Sequence, residues 1–418
     1  LGSTSGINLA NATALLYNGS AATLDRAISV TGGTGTIRNS GTGLLTLSGA
    51  LTKNSTTLTL AGGSNGITVS GVISGSAAYS DLILVGGTTS LTIAKNYFNG
   101  PTLLINSGCL KANTAGALPT STLSAVTING SSTLALGASQ SVASLSGTSG
   151  SSVNLNANTL TINGSSSTTY SGGISGTGNL VKNGSSTQIL DGATTFNGTT
   201  TVNSGTLQAA AAGALANTSQ VVLSNGGSLL VTAENAVNDN AAVNLGGGTL
   251  AVSGTFNENV GLLTLSANST IDLNNFTGIL RFGGVGSWAA GANLAIWNWN
   301  GTPKYNENNA PYSGGTRHVV FASNSGLDQY LDRISFYSGS GSGFVGNAFE
   351  TSFSESSFTG TEIIAVPEAE TYITAVVLLL GFTFYQIRLA RHGQGLLSRV
   401  TFLRSKTHRP LWEGHRPA

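Results

Sequence analysis

The sequence predicts an all-β chain wound as a solenoid, and three observations carry that expectation. Only 8% of the 418 residues are charged, against about 25% in ordinary globular domains, yet 40% are hydrophobic, which excludes a disordered polyelectrolyte. Short alternating runs are separated by Gly, Asn and Ser, and 58 residues are glycine; that is the pattern of half-buried strands closed by tight turns. Finally, one stretch of the chain repeats another about 100 residues away, and self-similarity of this kind marks repeat architectures.

Residues 1–265 carry the strand signal. The runs include LLTLSG (44–49), TLTLAGG (57–63), AVTING (125–130), SVNLN (152–156), VVLSNGG (221–227), LLVTA (229–233) and TLAVSG (249–254). No helical period of adequate length interrupts them. In a coil of such strands Leu, Val and Ile stack inward, and Thr and Ser tolerate the pleated outer surface. Backbone groups pair with the next rung, so stacking supplies stability without disulfides. The lone Cys109 excludes an intrachain disulfide and reads as a small core residue. The start lacks Met and has no basic stretch followed by an apolar run, so the expectation is a fragment or a processed product.

The clearest repeat unit is 180–209, LVKNGSSTQILDGATTFNGTTTVNSGTLQA. It reads as short strands broken at Phe196-Asn197-Gly198 and Asn203-Ser204-Gly205, with Gly205 free to take positive φ. An earlier copy spans 82–112, where Phe98-Asn99-Gly100 and Asn106-Ser107-Gly108 match those turns, with one residue inserted between them. SGVISGS (70–76) likewise matches SGGISGT (171–177). The unit resembles the autotransporter-associated β-strand repeat of large bacterial surface proteins. That resemblance covers the two copies directly and implies a right-handed parallel β-helix; it implies nothing about chemistry.

Residues 266–365 change character, with three of the four Trp close together at Trp288, Trp297 and Trp299. This order resembles the C-terminal module of the same bacterial proteins, and a β-rich cap closing the end of the helix is the expected role. LDQYLDRI (327–334) predicts a short helix with Leu327, Tyr330, Leu331 and Ile334 on one face. Trp297 and Trp299 alternate with Asn298 and Asn300, so on a strand both rings face one side. Core packing is the commoner use of such a pair, and glycan contact is the sharper alternative.

Residues 371–387 (TYITAVVLLLGFTFYQI) carry no charge. A spanning helix needs about 20 apolar residues, with a lower limit near 17, so a C-terminal transmembrane helix is expected here. Arg388 and Arg391 follow, which sets the C-terminal side as cytoplasmic. Val366-Pro367-Glu368, the apolar run and these arginines together resemble the PEP-CTERM sorting signal. That resemblance implies export in a Gram-negative bacterium, membrane anchoring followed by release to the surface or exterior, handling by an exosortase-type enzyme, and association with exopolysaccharide. The chain departs from the pattern at Ala369, where a second proline is usual, and in its continuation to Ala418. The tail, 388–418, holds seven of the 17 Lys and Arg and a single acid, Glu413; beside a membrane segment it attracts anionic lipid. No nucleic-acid-binding motif accompanies it.

Catalytic constellations are scarce. Before Glu234 the only acids are Asp25, Asp81 and Asp191, whereas a glycosidase needs two carboxyls about 5–10 Å apart. Asp328 and Asp332 near His318 read as a solvated face. His392, His408 and His415 lack a metal-ligand spacing, and no cofactor or metal site is expected. The domain reading is a repeat region at 1–265, a β-rich module at 266–365, the sorting motif and helix at 366–387, and a basic tail at 388–418. The function expected is that of a non-enzymatic exported surface or matrix protein, adhesin-like, with extracellular polysaccharide or neighbouring surface proteins as partners. Two alternatives remain, a β-helix that binds or degrades polysaccharide and a fragment of an autotransporter passenger.

Overall fold

The structure is a computed structural model, and it describes residues 6–53, 55–75, 81–93, 102–119, 123–301, 315–355 and 358–366. The segment expected to form the transmembrane helix, 371–387, and the basic tail lie outside these residues. Among the described residues no helix is long and apolar enough to cross a membrane.

The chain winds as a parallel β-solenoid. One coil shows the plan. Ile28–Val30, Thr34–Asn39 and Leu45–Leu47 occupy three sides in turn, and Leu51–Lys53 then returns beside Ile28–Val30. A first ladder joins Ile7–Leu9, Ile28–Val30, Leu51–Lys53 and Ile73–Ser74. A third runs from Ala22–Leu24 to Gly173–Ser175. Between them a second ladder starts at Thr13–Tyr17, passes through Leu82–Val85, Thr187–Leu190 and Thr249–Val252, and reaches Ile334–Tyr337. A late ladder begins at Gln140–Val142 and continues through Leu180–Lys182 and Thr199–Val202 to Arg317–Phe321.

Strand periodicity explains the core. Successive side chains point to opposite faces, so strands such as Thr206–Ala209 and Ser228–Val231 alternate half-buried and buried positions. In register, Leu207, Leu229, Leu250, Ile271, Ile296 and Phe336 stack as one buried column. Each apolar side chain removed from water contributes roughly 1.5–3 kcal/mol, and the rung spacing of about 4.8 Å places like on like. The turns follow the sequence reading. Gly205 has φ +66°, and a Cβ there would lie 2.4 Å from the Gly184 carbonyl oxygen of the preceding coil.

The two copies of the repeat sit on different sides. Leu82–Val85 and Thr88–Leu91 lie in the second and third ladders, whereas Leu180–Lys182 and Thr187–Leu190 lie in the late and second. Between the two copies the second ladder narrows, Ser144–Gly147 and Thr168–Tyr170 pairing only at Gly147 and Tyr170.

The coil does not stop at residue 265. Glu258–Ala267 and Phe276–Trp288 pair in parallel across it, and Leu1–Val366 forms one compact unit. Parallel pairing ends after Ile334–Tyr337. The antiparallel hairpin Phe344–Glu355 and Phe358–Val366 then pairs through Asn347 with Ser335 and through Glu362 with Val320. Ile363, Ile364 and Ala365 are buried, so this hairpin covers the last coil. The expected helix at 327–334 is a 3-10 helix, Asp328–Arg333, with Leu327 and Ile334 buried at its ends.

Candidate functional site

Polar residues inside the coil repair the backbone. Glu258 is fully buried and accepts from the N–H groups of Val237 at 2.7 Å and Ala236 at 3.3 Å. Burial pushes its carboxyl up to about 7, against the opposing pull of those N–H donors. Lys182 is buried at a turn, and its Nζ donates to the carbonyls of Asn183 and Gly184 at 2.5 and 2.7 Å; burial lowers its pKa. Lys53 ends the corresponding early strand, Leu51–Lys53, and burial lowers its pKa to about 8, partly offset by Asp81. Glu258 and Lys182 hold backbone groups, and all three side chains are buried.

His318 Nδ1 lies 2.7 Å from Oε1 of the buried Glu362 in the capping hairpin. It borders a cavity of about 200 Å³ that Asn257, Thr277 and Thr316 also line. Among the described residues no group of three or more His, Cys, Asp or Glu gathers where it would hold a metal ion. Cys109 is half-buried rather than a core residue. Leu110 takes the inward position, and Cys109 stands in an outer row between Thr88 and Thr133.

The outer face of the second ladder is the most regular surface. Thr187, Thr206, Ser228, Thr249 and Thr270 are direct neighbours on successive rungs and all point outward, half-buried. A second row, two residues along each strand, runs through Gln208, Leu230, Ala251 and Asp272 to Trp297. Its next position is Tyr337, because Ile296 pairs with Phe336. Tyr337 in turn pairs with Phe344, the rings meeting edge to face at 5.7 Å.

Trp297 and Trp299 do not share a face. Asn298 has φ +59°, which breaks the strand alternation between them. Trp299 turns into the core, 3% exposed, with its ring 5.2 Å from Phe336. Trp297 stays half-buried on the outer row. Asn298 fixes the bend by donating from Nδ2 to Asp272 Oδ1 at 2.6 Å and to Ser340 Oγ at 3.3 Å. Sequence reasoning missed Tyr337 and Phe344; the alternation of ISFY (334–337), with Phe336 inward, was the available signal. Of the sorting motif, Val366 ends the capping hairpin and is half-buried, while Pro367, Glu368, Arg388 and Arg391 lie outside the described residues.

Comparison with known proteins agrees with this architecture. Residues 180–209 match the family described as Passenger-associated-transport-repeat, the same span that carries the clearest internal repeat. The chain is also 35% identical over 260 residues, 61% of its length, to the adhesin BmaC autotransporter of Brucella suis biovar 1 (strain 1330). The matched part is 6% of that protein's length. An autotransporter-associated repeat on a β-solenoid is therefore present here.

Proposed function

We propose that this chain is a non-enzymatic segment of an exported, surface-exposed adhesin-like protein of a Gram-negative bacterium. The observation that carries the reading is the unbroken outer ladder from Thr187 to Thr270, on a solenoid whose repeat matches passenger repeats and whose relative is described as an adhesin. A charge-poor surface of hydroxyls and amides makes many weak contacts, and valence along a rod compensates for the weakness of each. Extracellular polysaccharide and neighbouring surface proteins are the partners such a surface suits.

Two export routes are compatible with this role. In one, Val366-Pro367-Glu368, the apolar run 371–387 and Arg388 and Arg391 act as a PEP-CTERM-like signal read by an exosortase-type enzyme. In the other, the chain is part of an autotransporter passenger, a reading favoured by the relative's description. Fractionation of cells making the parent protein, with mass spectrometry of the mature C-terminus, separates them. A terminus near Glu368 outside the inner membrane supports sorting. Residues 388–418 retained in a surface-exposed product support the passenger route. Retention of the whole product in the cytoplasm would overturn the surface role itself.

A further inference from the structure

We propose that the outer face of the second ladder is a track for a neutral, extended, β-1,4-linked polysaccharide, anchored at Trp297, Tyr337 and Phe344. The inference rests on the surface-protein reading and assigns it a site and a ligand class. Three aromatic side chains lie on three successive neighbouring strands, where the solenoid gives way to its hairpin cap. Phe344 is 46% exposed and Trp297 and Tyr337 are half-buried, so ring surface reaches solvent in a file along the coil axis. A contiguous group of aromatic side chains that reaches solvent marks a recognition surface, where one end of each ring is apolar and the other wet.

The chemistry beside the rings selects a sugar. Pyranose rings present C–H faces that stack on aromatic rings, with hydroxyls around the rim. Asp272, Asn298 and Ser340 form a polar edge next to Trp297, already locked by two hydrogen bonds from Asn298, so little ordering remains to be done on binding. The anchor's own row runs back through Asp272, Ala251, Leu230 and Gln208, and beside it, two residues earlier on each strand, the row of hydroxyls from Thr270 back to Thr187 offers donors and acceptors at rung spacing. In the two rows over these rungs the single charged side chain is Asp272, which disfavours a polyanion. A flat, straight array suits a β-1,4-linked chain, which extends as a ribbon, over α-linked chains, which coil. The loop at Gly341, which takes φ +72°, lies beside the Trp297 ring, where an added Cβ would be in ordinary contact at 3.4 Å.

The test is titration of the full chain with cellohexaose and chitohexaose, read by calorimetry and by quenching of tryptophan fluorescence. Trp288 and Trp299 are 7% and 3% exposed, so Trp297 is the described indole placed to report binding. We expect saturable binding of at least one hexaose, weakened at least tenfold by Trp297→Ala and by Phe344→Ala. Trp297→Phe should restore most of the affinity, and Leu262→Ala, an exposed apolar side chain on another ladder, should leave it unchanged. Circular dichroism confirms that each variant is folded. Absence of binding to both hexaoses, or binding indifferent to Trp297→Ala and Phe344→Ala, overturns the proposal. If cells displaying Trp297→Ala with Phe344→Ala still adhere as the parent does, the track is wrong while the adhesin reading stands.

Discussion

The side chain of Gln188 stands in for a missing rung beside Leu145, 43 residues earlier. Its Nε2 donates to the Leu145 carbonyl at 2.9 Å, and its Oε1 accepts from the Leu145 N–H at 3.3 Å. The need arises because Ser144–Gly147 and Thr168–Tyr170 pair at one point only, leaving the Leu145 backbone, paired with Val126 on its other side, without a ladder neighbour there. Thr168 completes the arrangement, donating from Oγ1 to Gln188 Oε1 at 3.0 Å. Gln188 is 1% exposed, and a buried amide with every group partnered is stabilising where an unpartnered one is costly.

Gln188→Leu keeps the volume and removes both bonds. The buried Leu145 N–H then loses its partner, at roughly 1–3 kcal/mol, while the Leu145 carbonyl keeps Thr168 Oγ1 as a donor at 3.0 Å. A loss of about 1–3 kcal/mol is expected in denaturant unfolding, and amide exchange at Leu145 should rise more than at Leu229, deep in an intact column. Unchanged exchange at Leu145 would show that the amide bridge is not made in solution.

Two buried ionisable groups give stability a minimum near neutrality. Burial raises Glu258 from 4.5 to about 7, so between those values the folded chain holds a proton that the unfolded chain has lost. Its stabilising contribution is complete below pH 4.5 and declines as pH rises to about 7. Lys53 is lowered from 10.5 to about 8. In that window the unfolded chain binds more protons, so stability recovers as pH rises. Each swing amounts to roughly 3 kcal/mol. Glu258→Gln should flatten the acid side of the melting profile, and Lys53→Met should lessen the alkaline slope, to which Lys182, also lowered by burial, still contributes, each leaving the opposite slope in place.

Glycines at positive φ should differ in a predictable way. Gly205→Ala meets two penalties, the conformation itself and a backbone oxygen of the previous coil at 2.4 Å. Gly226, at φ +83°, has nothing within 4 Å of an added Cβ. Gly226→Ala is expected to cost about 1 kcal/mol, the conformational part alone, and Gly205→Ala clearly more, with the rung at Gly184 pushed away. Melting temperatures of the two variants measure the difference; equal shifts would mean that the coils are less closely stacked than described.

These residues also mark how far the sequence was legible. Alternation in TLQA (206–209) and SLLV (228–231) specifies which side chains turn inward, and the coil follows from it. Which side of the solenoid a strand occupies is not written in that alternation, because every side accepts the same in-and-out pattern. The two repeat copies accordingly sit on different ladders. Trp299 was misplaced for a related reason. A single residue at positive φ, Asn298, reverses the parity of everything after it, and Asn tolerates that conformation without announcing it. Cys109 was read as core by its small size, whereas the parity of CLKA (109–112) sends it outward. The partners of Gln188 and Glu258 lie 43 and about 21 residues away, and only the coil length brings them together.

The central claim is that successive coils stack in parallel and in register, so that the outer hydroxyl row is straight. The most direct measurement is the distance between spin labels at Thr187→Cys and Thr270→Cys, with Cys109→Ser to remove the native thiol. The four rungs between them, at about 4.8 Å each, predict about 19 Å between the labelled backbones. A narrow distribution centred there is the expected result. A distance more than twice that, or a broad spread, would contradict the stacked coil and with it the straight outer row.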